Sequence, residues 1–274
     1  MGMPVAPVSI TRVEAGTTVA ADDLLVAEEP LEIRVGHGPV DDRRELRLSV
    51  TMRTPGHDAE LVLGFLFTEG LIAAPADVVR VAHCEDVKPE ERGNVVRAEL
   101  GPDVVVDPAR WQRNVYTTSS CGVCGKSSIE AVHAQCRRAI TPWGAIDAGA
   151  LTALPERMRA AQTVFRHTGG IHAAALFDRA GGLLLLREDV GRHNAVDKVI
   201  GAALDAGLAL DLCQLLVSGR AGFELVQKCV VAGIPLMAAV GAPSSLGVQL
   251  ARDSGLTLVG FLRGDRFNIY AGTP

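Results

Sequence analysis

The amino-acid sequence predicts an α/β fold, with an α/β/α C-terminal domain preceded by a smaller α+β N-terminal domain. In the second half, short apolar runs typical of buried strands alternate with segments whose apolar residues recur every three or four positions, as in helices. In the first half, shorter alternating segments are separated by glycine and proline turns. A chain of 274 residues, 48% of them hydrophobic, can bury two cores. We expect domains at 1–115 and 127–274, joined by a mobile loop at 116–126.

The sequence of the N-terminal half predicts one helix among several strands. Residues 58–68 place Leu61, Phe65 and Thr68 on one face of a helix, and Gly70 follows as a stop signal. Alternating and β-branched apolar residues predict strands at 30–36, 45–53, 78–83 and 95–100. No residue of this half suggests catalysis, so we expect the functional site in the second half.

The sequence of the C-terminal half predicts a sheet that is covered by helices on both faces. Helices are expected at 127–138, 154–165, 192–206, 222–231 and 245–254. Strands are expected at 172–177, 183–187, 213–218, 235–240 and 256–261. The last strands are almost continuously apolar, as in sheets with both faces buried. From 154 onward, this order of elements resembles the cytidine-deaminase-like fold, an analogy of topology that does not establish function.

The strongest local signal is the pair Cys121 and Cys124, in a loop of small residues that fits neither helix nor strand. A reactive thiol needs access to solvent and a lowered pKa, and two thiols at this spacing can exchange sulfur. Lys126 and the N-terminus of the following helix, near Ser127, both supply positive potential. A persulfide on such a loop could move between a sulfur donor and a buried acceptor.

Three other interpretations of this cysteine pair stay open. The pair could form half of a zinc site completed by His133 and Cys136, it could be a thioredoxin-like redox pair, or it could be incidental. A structural zinc site normally stiffens its loop, and a redox pair normally follows a strand that is missing here. The other thiols, Cys84, Cys136, Cys213 and Cys229, lie in apolar strand or helix patterns and are expected to be buried.

Polar loops follow several predicted strands of the second half. Ligand sites of open α/β sheets collect beyond the carboxyl ends of the strands, where helix N-termini present free N–H groups. The loops, together with a segment that enters the strand pair, are 188–194, 218–222, 241–245 and 168–172. Their candidate ligand-binding residues are His172, Gly191, Arg192, His193, Ser218 and Arg220. Singly, such loops are ordinary helix caps, but their expected position at one sheet edge favours a phosphate site.

The last predicted strand ends in a basic turn. Two cations on a tight turn suit a pyrophosphate or a nucleotide edge, although a solvated hairpin turn would have the same composition. The candidate residues of this segment are Phe261, Leu262, Arg263, Gly264, Asp265 and Arg266.

Zinc deaminases carry H-x-E and P-C-x-x-C motifs in the corresponding loops. Here His193 is not followed by the catalytic glutamate, and 218–222 contains no cysteine. Deamination of a nucleobase is therefore not expected.

Together, these segments resemble the FdhD family of formate dehydrogenase accessory sulfurtransferases. The resemblance covers the chain from Leu46 onward but does not determine the first ~20 residues. The turn that ends in Arg266 is variable in the family. The resemblance therefore does not establish contacts from Leu262 and Asp265 to the nucleotide. The matching segments, in order, are 117–126, 168–172, 187–198, 218–224, 239–246 and 257–261.

The resemblance implies a sulfurtransferase that takes sulfane sulfur from a cysteine desulfurase as a cysteine persulfide. It would deliver this sulfur to Mo-bis(molybdopterin guanine dinucleotide), a bound substrate, before that cofactor enters apo formate dehydrogenase. By match to the motif, Cys121 is the persulfide carrier, Cys124 is its partner, and 261–266 hold the nucleotide portion. No permanent cofactor or metal is expected, and the two guanines favour a homodimer. The alternative is a non-catalytic cofactor chaperone with a structural zinc on the cysteine pair.

Bulk properties narrow the range of partners and compartments. The net charge of -5 argues against a generic nucleic-acid binder, and no segment approaches the ~20 apolar residues that span a bilayer. The N-terminus lacks a basic region followed by a long apolar stretch, and six cysteines are too sparse for a disulfide scaffold. We expect a cytoplasmic protein without nucleic-acid or membrane partners.

Overall fold

The structure is a computed structural model that describes residues 2–108 and 140–274. Cys121, Cys124 and the predicted helix at 127–138 lie outside these ranges. The α-helices within them are α1 (Asp58–Thr68), α2 (Ala148–Ala161), α3 (Thr163–Thr168), α4 (Arg192–Asp205), α5 (Phe223–Ala232) and α6 (Ser245–Ser254). None of these described helices is long and apolar enough to cross a membrane. The strands are β1 (Val5–Glu14), β2 (Thr17–Val26), β3 (Glu29–His37), β4 (Arg44–Arg53), β5 (Val78–His83), β6 (Val95–Leu100), β7 (His172–Phe177), β8 (Leu183–Asp189), β9 (Gln214–Val217), β10 (Leu236–Ala239), β11 (Thr257–Arg263) and β12 (Arg266–Ala271).

A six-stranded sheet in the order β12-β11-β10-β9-β7-β8 forms the centre of the C-terminal half. Strands β9, β10 and β11 are parallel, whereas β7 is antiparallel to both of its neighbours. Successive residues point to opposite faces, so Leu215 joins the core beneath α4, α5 and α6, while Leu216 joins the core beneath α2. Both faces are thus covered, and the predicted α/β fold class is confirmed.

The N-terminal half adds a four-stranded sheet in the order β4-β3-β6-β5, and α1 packs between this sheet and α4. The two helices approach each other through glycines. A Cβ atom at Gly64 would lie 1.9 Å from the carbonyl oxygen of Asp197, and one at Gly201 would lie 1.9 Å from that of Glu60. One hydrophobic cluster consequently extends from the four-stranded sheet through α1 and α4 to the six-stranded sheet.

The single helix predicted at 154–165 is wrong, because the structure has two helices that meet at Gln162. Gln162 has an extended backbone, with ψ of 113°. The carboxylate of Glu188 accepts hydrogen bonds from the backbone N–H groups of Thr163, Val164 and Phe165 at 2.8 to 3.0 Å. This carboxylate, at the end of β8, caps a new helix start and explains the break.

Two hairpins complete the fold. Residues 5–26, for which the sequence pattern assigned no element, form the β1–β2 hairpin. The basic C-terminal turn joins β11 to β12, an added edge strand that the pattern also did not assign. Gly264 adopts a φ of 57° in this turn, a value that glycine tolerates without strain.

Candidate functional site

The polar loops predicted from the sequence meet at one edge of the six-stranded sheet. The carboxyl ends of β8, β9, β10 and β11 and the start of β7 share this edge. Backbone hydrogen bonds join neighbouring loops: Gly241 N donates to Gly219 O at 2.9 Å, and Phe261 N donates to Gly241 O at 3.0 Å. The hydroxyl of Ser218 accepts from Ala173 N at 2.9 Å, so its side chain holds two strands together at the edge.

A cleft of about 360 Å³ opens at this edge beside the N-termini of α4 and α5. Both helices begin after a glycine, Gly191 or Gly222, which provides no side chain to cap the first N–H groups. Arg192 and Arg220 line the same cleft. Uncapped helix N-termini and guanidinium groups both attract anions, so the cleft is suited to hold phosphate.

Two histidines predicted as ligand-binding residues lie at the same sheet edge, and His193 lines a separate pocket beside Gly191 and Asn194. His172 is half-buried, and burial followed by the charge of Arg192 lowers its pKa, so its imidazole is neutral near pH 7. His193 is buried, with its Nε2 atom 3.9 Å from the Glu224 Oε2 atom, a distance too long for a hydrogen bond. Among the described residues, this Nε2 has no hydrogen-bond partner.

Glu224, in the first turn of α5, lines the cleft. The nearby His193 imidazole, its own backbone N–H and the charge of Arg192 lower the pKa of Glu224, against the opposing effect of partial burial. The cleft therefore contains a carboxylate that is ionised at neutral pH beside its arginines.

A buried ion pair holds the loop that precedes α4. Asp189 is fully buried and lies 2.7 Å from the Lys198 Nζ atom. Its carboxylate also accepts hydrogen bonds from Gly191 N at 2.8 Å, Asn194 Nδ2 at 3.0 Å and Thr54 N at 3.1 Å. Because Thr54 follows β4, this group of residues ties the cleft loop to the N-terminal half. We call Asp189, Lys198 and Thr54 the loop clamp.

The predicted nucleotide segment 261–266 divides into exposed and buried side chains. Phe261 is 40% exposed, and its φ of 51° is unusual for a residue other than glycine. Leu262 is fully buried in the core under α2, so its side chain faces away from solvent. The Arg263 Nε atom donates to Val240 O at 3.1 Å, and Gly264, Asp265 and Arg266 form the exposed turn.

The described cysteines are poor nucleophiles. Cys213 and Cys229 are buried as predicted, and Cys84 is partly buried. Burial raises the pKa of each of these three thiols. The predicted carriers Cys121 and Cys124, with the zinc alternative at His133 and Cys136, lie outside the described residues.

Sequence reasoning missed several residues that shape the cleft. Asp189 and Glu224 stand inside the recognised segments, but an acidic residue near a helix start is commonplace, and nothing local marks either one. Thr54 and Lys198 become relevant only through the packing of β4 against α4. Glu188, by contrast, was part of a candidate ligand loop and instead caps α3.

An α/β/α sheet whose edge combines uncapped helix N-termini with arginines defines a class of proteins suited to bind anionic ligands. The chain belongs to the FdhD/NarQ family, whose match covers residues 26–274. It is 52% identical to the sulfur carrier protein FdhD of Streptomyces avermitilis, over 96% of this chain and 92% of that relative. It is 49% identical to the protein of that name from Mycobacterium tuberculosis, over 98% of both chains.

A solved structure supports the fold. The crystal structure of a protein from Desulfotalea psychrophila, assigned as a formate dehydrogenase accessory protein, matches with a TM-score of 0.73. The two chains are 23% identical, and the match covers 98% of this chain and 97% of the other.

Proposed function

We propose that this protein accepts sulfur from a cysteine desulfurase as a persulfide on Cys121 and transfers it to Mo-bis(molybdopterin guanine dinucleotide). The sulfurated cofactor then enters apo formate dehydrogenase. In this proposal, the cofactor is a substrate held at the sheet edge, and the protein acts in the cytoplasm as a homodimer. The observation that carries the proposal is the cleft in which Arg192, Arg220 and two uncapped helix N-termini face the same space.

The chemistry consists of two exchanges of sulfur. In the first, the Cys121 thiolate attacks the outer sulfur of the desulfurase persulfide; a new S–S bond forms, the old one breaks, and the desulfurase thiolate leaves with the electron pair. In the second, the Cys124 thiolate attacks the Cys121 Sγ atom and releases hydrosulfide to the molybdenum, leaving a disulfide between the two cysteines. A cellular dithiol then restores both thiols.

The charge distribution supports a dinucleotide substrate. Each half of the cofactor carries a pyrophosphate, and backbone N–H groups with guanidinium groups are a common receptor for it. The whole chain has a net charge of -5, so two arginines at the sheet edge are a local feature and not part of a generally basic surface.

The state of the other thiols also supports the assignment to Cys121 and Cys124. A persulfide acceptor must react as the thiolate, whereas burial keeps Cys84, Cys213 and Cys229 protonated. Of the six cysteines in the sequence, three are thus unsuited to accept sulfur.

Mass spectrometry after incubation with a cysteine desulfurase and L-cysteine tests the proposal. The wild type should gain about 32 Da, the mass of one sulfur atom, at Cys121 as its persulfide. Cys121→Ala should gain nothing, whereas Cys124→Ala should gain sulfur but fail to release hydrosulfide. Cys84→Ala is the matched control and should behave as the wild type.

Two results would contradict the proposal. One is an unmodified Cys121 in the presence of an active desulfurase. The other is stoichiometric zinc that blocks both thiols, which would instead support a cofactor chaperone that performs no chemistry.

A further inference from the structure

Glu224 is an unexpected residue in a cleft suited to phosphate. Its carboxylate is ionised and shares the cleft with Arg192 and Arg220. A negative charge repels phosphate, so a site that bound only phosphate would gain nothing from it. A ligand in this cleft would gain from hydrogen-bond donors placed against the carboxylate.

Glu224 and its neighbour His193 do not form a hydrogen bond with each other. Their closest atoms are 3.9 Å apart, and His193 Nε2 has no hydrogen-bond partner among the described residues although the residue is only 9% exposed. A buried polar atom without a partner is costly and calls for an explanation, such as a bound water, an ion or a role in catalysis. This orphaned nitrogen lies 3.9 Å from the Glu224 carboxylate, whereas His193 itself lines the neighbouring pocket that contains Asn194.

The surroundings of Glu224 suit a flat ring. Pro243 and Leu246 line the cleft, and Leu246 is 47% exposed, which is high for a large apolar side chain. The volume of about 360 Å³ falls within the ~300–1,000 Å³ common for small-molecule sites. The cleft thus combines a carboxylate, an apolar wall and two guanidinium groups.

We propose that Glu224 recognises the 2-amino-4-oxopyrimidine edge that guanine and pterin share. This edge presents two adjacent N–H donors, which can meet the two oxygens of one carboxylate, while Arg192 and Arg220 hold the attached phosphates. Adenine presents an acceptor beside its amino group and would place a lone pair against the carboxylate. The inference deepens the proposed function and rests on it, since it names the part of the cofactor that Glu224 selects.

Calorimetric titration of the full chain with GDP, IDP and ADP tests this role. IDP differs from GDP only by the missing 2-amino group. The wild type should bind GDP at least about tenfold more tightly than IDP, because a hydrogen bond to a charged group is lost. In Glu224→Gln, the ratio of the GDP and IDP affinities should fall to near one. Glu224→Asp, which keeps the charge, should retain a preference for GDP.

Glu156→Gln, on the exposed side of α2, is the matched control and should keep the GDP to IDP ratio of the wild type. Thermal melting of each variant checks folding. A role in stabilising the start of α5 alone would lower the melting temperature and leave both the GDP to IDP ratio and neopterin binding unchanged, which would overturn the inference. If the wild type bound no GDP at all, the proposed function would fail as well.

A second titration, with neopterin, identifies the source of the recognised edge. Loss of neopterin binding in Glu224→Gln with an unchanged GDP to IDP ratio would assign Glu224 to the pterin. Loss of the GDP preference with unchanged neopterin binding would assign it to guanine. Unchanged binding of both ligands would overturn the inference.

Discussion

Helix α4 carries two buried pairs of carboxylate and lysine that serve different parts of the molecule. At its N-terminus, the loop clamp joins Asp189 to Lys198 at 2.7 Å and holds the cleft loop. On its side, Asp197 pairs with Lys228 of α5 at 2.9 Å. All four residues are almost completely buried. The two pairs are thus alike in burial and chemistry but differ in role. The first holds a loop of the ligand cleft, and the second joins two packed helices.

The packing network extends across three helices. Lys228 Nζ donates to Thr68 Oγ1 at 2.9 Å and to Glu69 Oε1 at 3.1 Å, and Thr68 Oγ1 donates to Asp197 Oδ1 at 2.8 Å. Burial opposes the charge on Lys228, but Asp197 and Glu69 outweigh it and raise its pKa. The network joins α1, α4 and α5 without touching the cleft loop.

The largest effect is expected for Lys228→Met. The buried carboxylate of Asp197 loses its ion pair with Lys228, and Glu69 loses one of its partners, so the free energy of unfolding should fall toward the upper end of ~3–5 kcal/mol. Denaturant unfolding measures this loss. GDP affinity, measured on the folded protein, should stay at the wild-type level. A parallel fall in GDP affinity would show that the packing network also controls the cleft.

A smaller loss of stability, with an added loss of binding, is expected for Asp189→Asn. The amide can still accept from Gly191 N but leaves Lys198 without its carboxylate, so the loss should be near the lower end of ~3–5 kcal/mol. The loop that presents Arg192 should shift, and GDP affinity should fall about tenfold, as for one lost charged hydrogen bond. Titration calorimetry and denaturant unfolding of the same sample measure both effects.

Asp205→Asn, at the exposed end of α4, provides the control for that substitution and should change neither quantity. If Asp189→Asn lost stability but kept full GDP affinity, the loop clamp would be a packing element like the pair at Lys228.

The smallest effect is expected for the partly exposed pair that links α1 to β8. Arg187 donates to both carboxylate oxygens of Glu60, at 2.5 and 2.7 Å. Burial opposes ionisation of Glu60, but Arg187 and then His57 outweigh it and lower the pKa from 4.5 to about 2. A lowered pKa stabilises the folded state above pH 4.5, and this contribution is lost as the pH falls toward 2.

Arg187→Met should therefore cost below about 1 kcal/mol at pH 7, since solvent screens the pair. It should also flatten the decline of stability between pH 4.5 and 2, which urea titrations at several pH values would measure. An unchanged pH dependence would mean that another group dominates this range.

Sequence periodicity predicted those parts of the molecule that depend on local pattern. The strands at 78–83 and 95–100 and the helix at 58–68 are found with the same bounds. The meeting of the loops after β8, β9 and β10 was also predictable, because parallel strands bring their carboxyl ends to one edge.

Other parts depend on distant partners and leave no local trace. The break at Gln162 requires the carboxylate of Glu188, which arrives from another strand. The β1–β2 hairpin was missed because both of its faces are largely exposed, so no alternation of apolar residues marks it. The clamp contact between Thr54 and Asp189 similarly appears only once the end of β4 lies beside the end of β8.

The glycine contacts between α1 and α4 have a consequence for the evolution of the chain. Any side chain at Gly64 or Gly201 would collide with the backbone of the opposing helix, so the surfaces of the two halves are closely complementary at this contact. Neither half could be exchanged for an unrelated module without losing this fit. A change in either helix must therefore preserve the clearance at both glycines, which constrains the two halves to vary together.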